Sequence, residues 1–158
     1  MKEEPKGIKE YLDYCLETYY EKILEKHGFK LENQLMSGMA ALYSFKNDRL
    51  RIDLVNDRGL IETRIASIYS NESYCDLDLL NVLIILKKEG KVSLDKQTLS
   101  TIPIKRLSLR DIAELLNLNM ELIRELFSKE NFLQTNKFLN VIGERRAEIL
   151  FRKWIKKK

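Results

Sequence analysis

Apolar and polar positions alternate over three runs between Met39 and Ile68, and this is the clearest structural signal in the chain. In the middle run Leu50, Ile52 and Leu54 fall on one side, while Arg49, Arg51 and Asp53 fall on the other. The last run sets Ile61, Thr63 and Ile65 against Glu62 and Arg64. A period of two belongs to a half-buried strand. Asn47-Asp48 and Asp57-Arg58-Gly59 separate the runs and carry residue types that tight hairpins need. The pattern predicts an antiparallel meander of three strands. Phe29 to Leu35 adds a fourth, with Phe29, Leu31 and Leu35 pointing inward.

Outside the meander the apolar period changes to three and four. Ile8, Tyr11, Leu12, Cys15, Leu16, Tyr19, Tyr20, Ile23 and Leu24 form one stripe of a long helix that ends near His27-Gly28. Asp76 is placed to cap a strongly apolar helix over Leu77 to Lys88, which Gly90 terminates. Residues 91–106 read as a long connection, the segment best suited to moving or meeting a partner. Ser108, with Asp111 three positions on, opens a helix that either runs through to Phe127 or breaks at Asn117. A final helix carries Leu139, Ile142, Ala147, Leu150, Phe151 and Trp154 on one side, with Trp154 expected to anchor in the core. The predicted architecture is α+β: an antiparallel three- to four-stranded meander packed against N-terminal and C-terminal helices, as a single domain over residues 1–158.

Length supports that reading, since 158 residues can bury a working core without disulfides or metals. Two isolated cysteines, Cys15 and Cys75, form neither a disulfide framework nor a metal-ligand spacing, and are expected to act as small buried hydrophobes. The net charge of +4 is mild and gathers at Arg152, Lys153, Lys156, Lys157 and Lys158, expected to be a solvated helix end. No apolar leader stands at the N-terminus, and the run Leu77 to Leu86 is too short for a bilayer. The expected compartment is the cytoplasm, with no membrane partner.

Candidate chemistry is sparse. His27 is the single histidine and sits at a helix end, where a dipole contact explains it. Asp53, Glu62, Asp76 and Asp78 are explained by strand faces and helix caps, and no phosphate loop, nucleophile elbow or metal spacing appears. The chain is therefore expected to be no enzyme and to need no cofactor. Residues 110–126 have the spacing of a helix-turn-helix, and a DNA-binding regulator is the alternative reading. The second helix would carry Glu121 and Glu125 against one Arg124, poor electrostatics for a phosphate lattice, so nucleic acid is the unlikely partner. The mixed charges of the sheet's polar face suit protein recognition better. Alternation alone assigns Arg51, Asp53, Asp57, Arg58, Glu62 and Arg64 to that partner-binding face.

Four stretches in order along the chain bear on the partner: Val55-Asn56-Asp57-Arg58-Gly59, Ser73 to Leu80, Ile123 to Asn131, and Glu144 to Phe151. Together they resemble the small bacterial immunity proteins of polymorphic toxin systems. That resemblance implies a cytoplasmic protein that binds one cognate toxin and blocks it sterically. It transfers no catalytic residue. Immunity proteins against nucleases are often acidic, and this chain is mildly basic. The resemblance therefore leaves open a toxin that is not a nuclease or a binding face that is locally acidic.

Overall fold

A computed structural model describes residues 3–70, 74–90 and 104–156. Its centre is a five-stranded antiparallel sheet in sequential order: β1 (Lys30–Met36), β2 (Ala40–Lys46), β3 (Leu50–Asp57), β4 (Leu60–Ser67) and β5 (Cys75–Asp76). The fold is α+β as the patterning predicts. The fifth strand is a two-residue pairing of Cys75 and Asp76 with Ile65 and Arg64, too brief to leave a periodic trace in the sequence.

The inner face of the sheet follows the alternation. Tyr43, Phe45, Leu50, Ile52, Leu54 and Ile65 are buried there, each fully buried aliphatic side chain contributing roughly 2 kcal/mol. The first helix covers this face as α1 (Ile8–Cys15), a π-helical turn (Leu16–Tyr20) and α2 (Glu21–Lys26). Its buried residues are Leu12, Cys15, Tyr20 and Leu24. The five-residue step from Cys15 to Tyr20 would put them ~140° apart on a plain α-helix. The π-turn brings both onto the sheet. Burial raises the Cys15 thiol above its ordinary range. Asn56, wholly buried on β3, fastens the helix start by donating to the Ile8 carbonyl at 2.9 Å.

The other helices are α3 (Leu77–Lys88), α4 (Leu109–Leu126) and α5 (Phe132–Lys156). Asp76 caps α3 by accepting from the Leu79 amide at 3.0 Å, and Ser108 with Asp111 forms a full capping box on α4. Helix α4 is kinked at Asn119, not at Asn117. The buried Asn119 side chain donates to the Leu115 carbonyl at 2.9 Å.

Two expectations are corrected. In β1, Leu31 and Leu35 do not point into a core, because the entire strand is exposed at the sheet edge. A register shift between Leu31 and Asn33 also puts them on opposite faces: Leu31 pairs with Phe45 and Leu35 with Leu42. Trp154 is not a core anchor: Ala147, Leu150, Phe151 and Trp154 are all exposed, and only the first half of α5 is buried. Of the connection over 91–106, residues 91–103 lie outside the described residues, while Ile104, and Leu107 just beyond the connection, pack partly buried against the core.

Candidate protein-binding face

Strand pairing arranges the outer face of the sheet in rows. One row runs Leu35, Leu42, Val55, Glu62; the next runs Asn33, Ser44, Asp53, Arg64, Asp76; a third runs Lys46, Arg51, Ala66. Five of the six residues assigned by alternation share this face, and Arg58 lies at the adjoining hairpin tip. They divide into two groups by accessibility.

Arg51 and Asp53 are built into the protein. Asp53 is 7% exposed and accepts the Ser44 hydroxyl at 2.7 Å. Arg51 is half-buried and donates to the Ser67 and Ser70 carbonyls, which clamps the chain leaving β4. Its guanidinium also lies over the Tyr74 ring, 5.2 Å from the centroid. Tyr74 thus covers this end of the face. Burial, and then the charge of Asp53, raises its phenol above the usual 10.0. Beside it is a cleft of about 370 Å3 lined by Glu32, Asn33, Ser44, Phe45, Arg51 and Tyr74. It is polar and open.

Asp57, Arg58, Glu62 and Arg64 are exposed. Arg64 donates to Glu62 at 2.6 Å and 3.1 Å, and Arg58 lies 3.8 Å from Asp57. Such surface pairs contribute little stability, about 0–1 kcal/mol, so their charge remains available for a partner. Arg58 has a φ of 54° and Gly59 a φ of 94°, the pair of left-handed residues that a tight two-residue hairpin needs. Among the described residues Arg58 is the single non-glycine with a positive φ.

The sequence did not signal what adjoins these charges. The Arg58 amide donates to the Met39 carbonyl at 2.9 Å, which laces the tips of the β1–β2 and β3–β4 hairpins together. Leu35, Met36, Met39 and Leu60 are all more than half exposed at this end of the sheet. Beside them, β1 offers the backbone groups of an uncovered edge. An apolar centre, a charged rim and an open strand edge together form a surface suited to protein. Alternation could not reveal this patch, because it reads Leu35 as inward, whereas the register turns Leu35 to the outer face beside Leu42 and β1 is exposed along its whole length.

Two other features carry less. A cavity of about 1040 Å3 opens between the α2 end and α4 and is lined by His27 and by basic and acidic side chains together, including Arg49, Glu121, Arg124 and Glu125. His27 Nε2 lies 3.3 Å from Asn117 Oδ1, and Arg124 is bonded to Asp48 at 3.0 Å. On the second part of α4 this leaves Glu121 and Glu125 as exposed charges, an arrangement that repels phosphate. Among the described residues, no three His, Cys, Asp or Glu side chains gather where a metal ion would sit, and no helix is long and apolar enough to cross a membrane. No family model, curated protein or solved structure matches the chain.

Proposed function

We propose that this chain is a non-enzymatic binding protein that neutralises a cognate bacterial toxin in the cytoplasm, an immunity protein acting by steric blockade. The observation that carries the reading is the hairpin end of the sheet. There an exposed apolar patch (Leu35, Met36, Met39, Leu60) is bordered by Asp57, Arg58, Glu62 and Arg64 and by the open β1 edge. An extended segment of the partner would add to β1 through backbone hydrogen bonds, and the apolar residues would supply the anchors. The exposed charges would set partner choice and encounter rate. Arg51 and Asp53 would act from beneath, holding the face in shape.

The test is a pull-down of the tagged chain from its host lysate with mass spectrometry. It is followed by binding measurements on Leu35→Asp, Met39→Asp and the double variant Arg58→Glu/Arg64→Glu. Capture of one large protein with a variable C-terminal domain is expected. The apolar variants should weaken it by at least tenfold, as expected when an interface anchor is lost. Recovery of nucleic acid without a protein partner would sink the proposal in favour of the regulator reading of residues 110–126.

A further inference from the structure

Helix α5 changes its apolar face halfway along. Over its first turns Thr135, Phe138, Leu139 and Ile142 are buried against the body, and Arg146 is tied to Asp76 at 2.7 Å. From Ala147 onward Ile149 continues the first stripe and is half-buried, whereas Ala147, Leu150, Phe151, Trp154 and Ile155 are exposed. At about 100° per residue the two sets point in directions roughly 140° apart round the helix axis. The second stripe therefore points away from the side of α5 that packs on the described body, and no repacking of α5 onto that body buries both.

The chemistry of this second stripe is specific. Phe151 and Trp154 stack with ring centroids 6.0 Å apart. Arg152, Lys153 and Lys156 fall on the opposite arc, and the sequence continues with Lys157 and Lys158. From Ile149 to Lys158 there is no carboxylate. Glu144 and Glu148 come earlier and line, with Ala147 and Phe151, a shallow groove of about 530 Å3 on the same side.

We propose that the last turns of α5 dock on an anionic lipid surface, with Leu150, Phe151, Trp154 and Ile155 entering the headgroup boundary and the basic side chains facing the phosphates. Aromatic and aliphatic residues on one arc with Lys and Arg on the other is the pattern of a helix lying in the membrane interface. The long basic stems reach from the far arc back to the headgroups. Charge selects the occupant: five cations and no carboxylate over Ile149 to Lys158 complement an anionic surface. A second copy of this chain would present the same cations. The four large side chains also offer roughly 400 Å2, about half of what one partner buries in a standard interface. The contact is peripheral and reversible, and Glu144 and Glu148 confine it to the segment after Glu148.

Trp154 is the single tryptophan of the chain and supplies the readout. The full chain is titrated with vesicles of phosphatidylglycerol and phosphatidylcholine, and in parallel with pure phosphatidylcholine. A blue shift of Trp154 emission and co-sedimentation are expected with the anionic vesicles, at least tenfold stronger than with the neutral ones and weakened by salt. Phe151→Ser/Ile155→Ser should abolish both signals while leaving the far-ultraviolet circular dichroism unchanged, because both residues are exposed. Leu133→Ser, another exposed apolar position on α5, should leave binding intact, and Glu148→Gln should strengthen it. No shift with anionic vesicles overturns the proposal. So does a lipid-free, concentration-dependent dimer that Phe151→Ser/Ile155→Ser dissociates, since the stripe would then belong to a second copy.

Discussion

The Tyr20 hydroxyl and Thr63 Oγ1 meet 2.8 Å apart inside the core, joining the π-turn of the first helix to the inner face of β4. Both residues are almost wholly buried, so neither hydroxyl has water to fall back on. Tyr20→Phe is expected to cost about 1–2 kcal/mol, because it leaves the Thr63 hydroxyl unpaired. Adding Thr63→Val should recover part of that loss, and urea unfolding of the two single variants and the double variant measures the coupling. Strictly additive losses would show that the pair does not act as a unit. Burial raises the Tyr20 phenol to about 12 from 10.0. The unfolded chain thus releases this proton first, and stability falls as pH rises from 10.0 towards 12. Tyr20→Phe lacks this contribution to the alkaline decline.

Arg51 tests whether the charged face is structural or available. Its guanidinium reaches the carbonyls of Ser67 and Ser70 and stacks on Tyr74, so Arg51→Ala should destabilise by about 1–2 kcal/mol. Hydrogen exchange should speed up at Ile68 to Ser70. Arg64→Glu, on the same face but exposed, should change stability by no more than about 0.5 kcal/mol. An Arg51→Ala variant with native stability and exchange would show that the clamp is not needed, and would return Arg51 to the set of free contact residues.

The same contrast shows what the sequence could and could not convey. Strict alternation located β3 and β4 and assigned Leu50, Ile52 and Leu54 inward, because burial on one face imposes the period. Asp76 and Ser108 were legible as caps because their chemistry is local. Exposure was not legible. Arg51 and Arg64 both belong to the polar side of the alternation, and contacts from beyond that pattern, the Ser67 and Ser70 carbonyls and the Tyr74 ring, separate them. Leu31 and Leu35 read as a core pair because a bulge leaves no mark in composition. Trp154 read as core because a helical period reports which residues share a face, not what that face meets.

Asp78 gives a test at acidic pH. It accepts the Leu107 amide at 2.8 Å, yet its carboxyl is shifted above the ordinary 3.8, with burial outweighing that hydrogen bond and the charge of Asp76 adding to it. Arg146 and Arg106 act in the opposite direction. A raised carboxyl binds its proton more tightly in the folded state, so stability declines as pH rises through the folded value. Asp78→Asn keeps an acceptor for Leu107 and cannot ionise. It should be more stable than the parent at neutral pH, and the advantage should vanish below 3.8. Thermal unfolding across that range decides it. A variant less stable at neutral pH would mean that the ionised carboxylate is favoured where it stands.

Arg58 sets stability against binding most directly. A side chain in the left-handed region costs about 1 kcal/mol relative to glycine, and Arg58 accepts this at a φ of 54° on a tip where its own amide is bonded to the Met39 carbonyl. Asn56 Oδ1 already accepts the Gly59 amide at 2.8 Å, so the turn does not need the arginine side chain to form. Its nearest carboxylate, Asp57, is 3.8 Å away and both are well exposed. Arg58→Gly is therefore expected to stabilise the protein by about 0.5–1 kcal/mol while weakening capture of the protein partner. Denaturant unfolding and binding measured on the same preparation separate the two effects. A gain in stability with unchanged binding would remove Arg58 from the contact face and leave the apolar tip and the β1 edge to carry recognition.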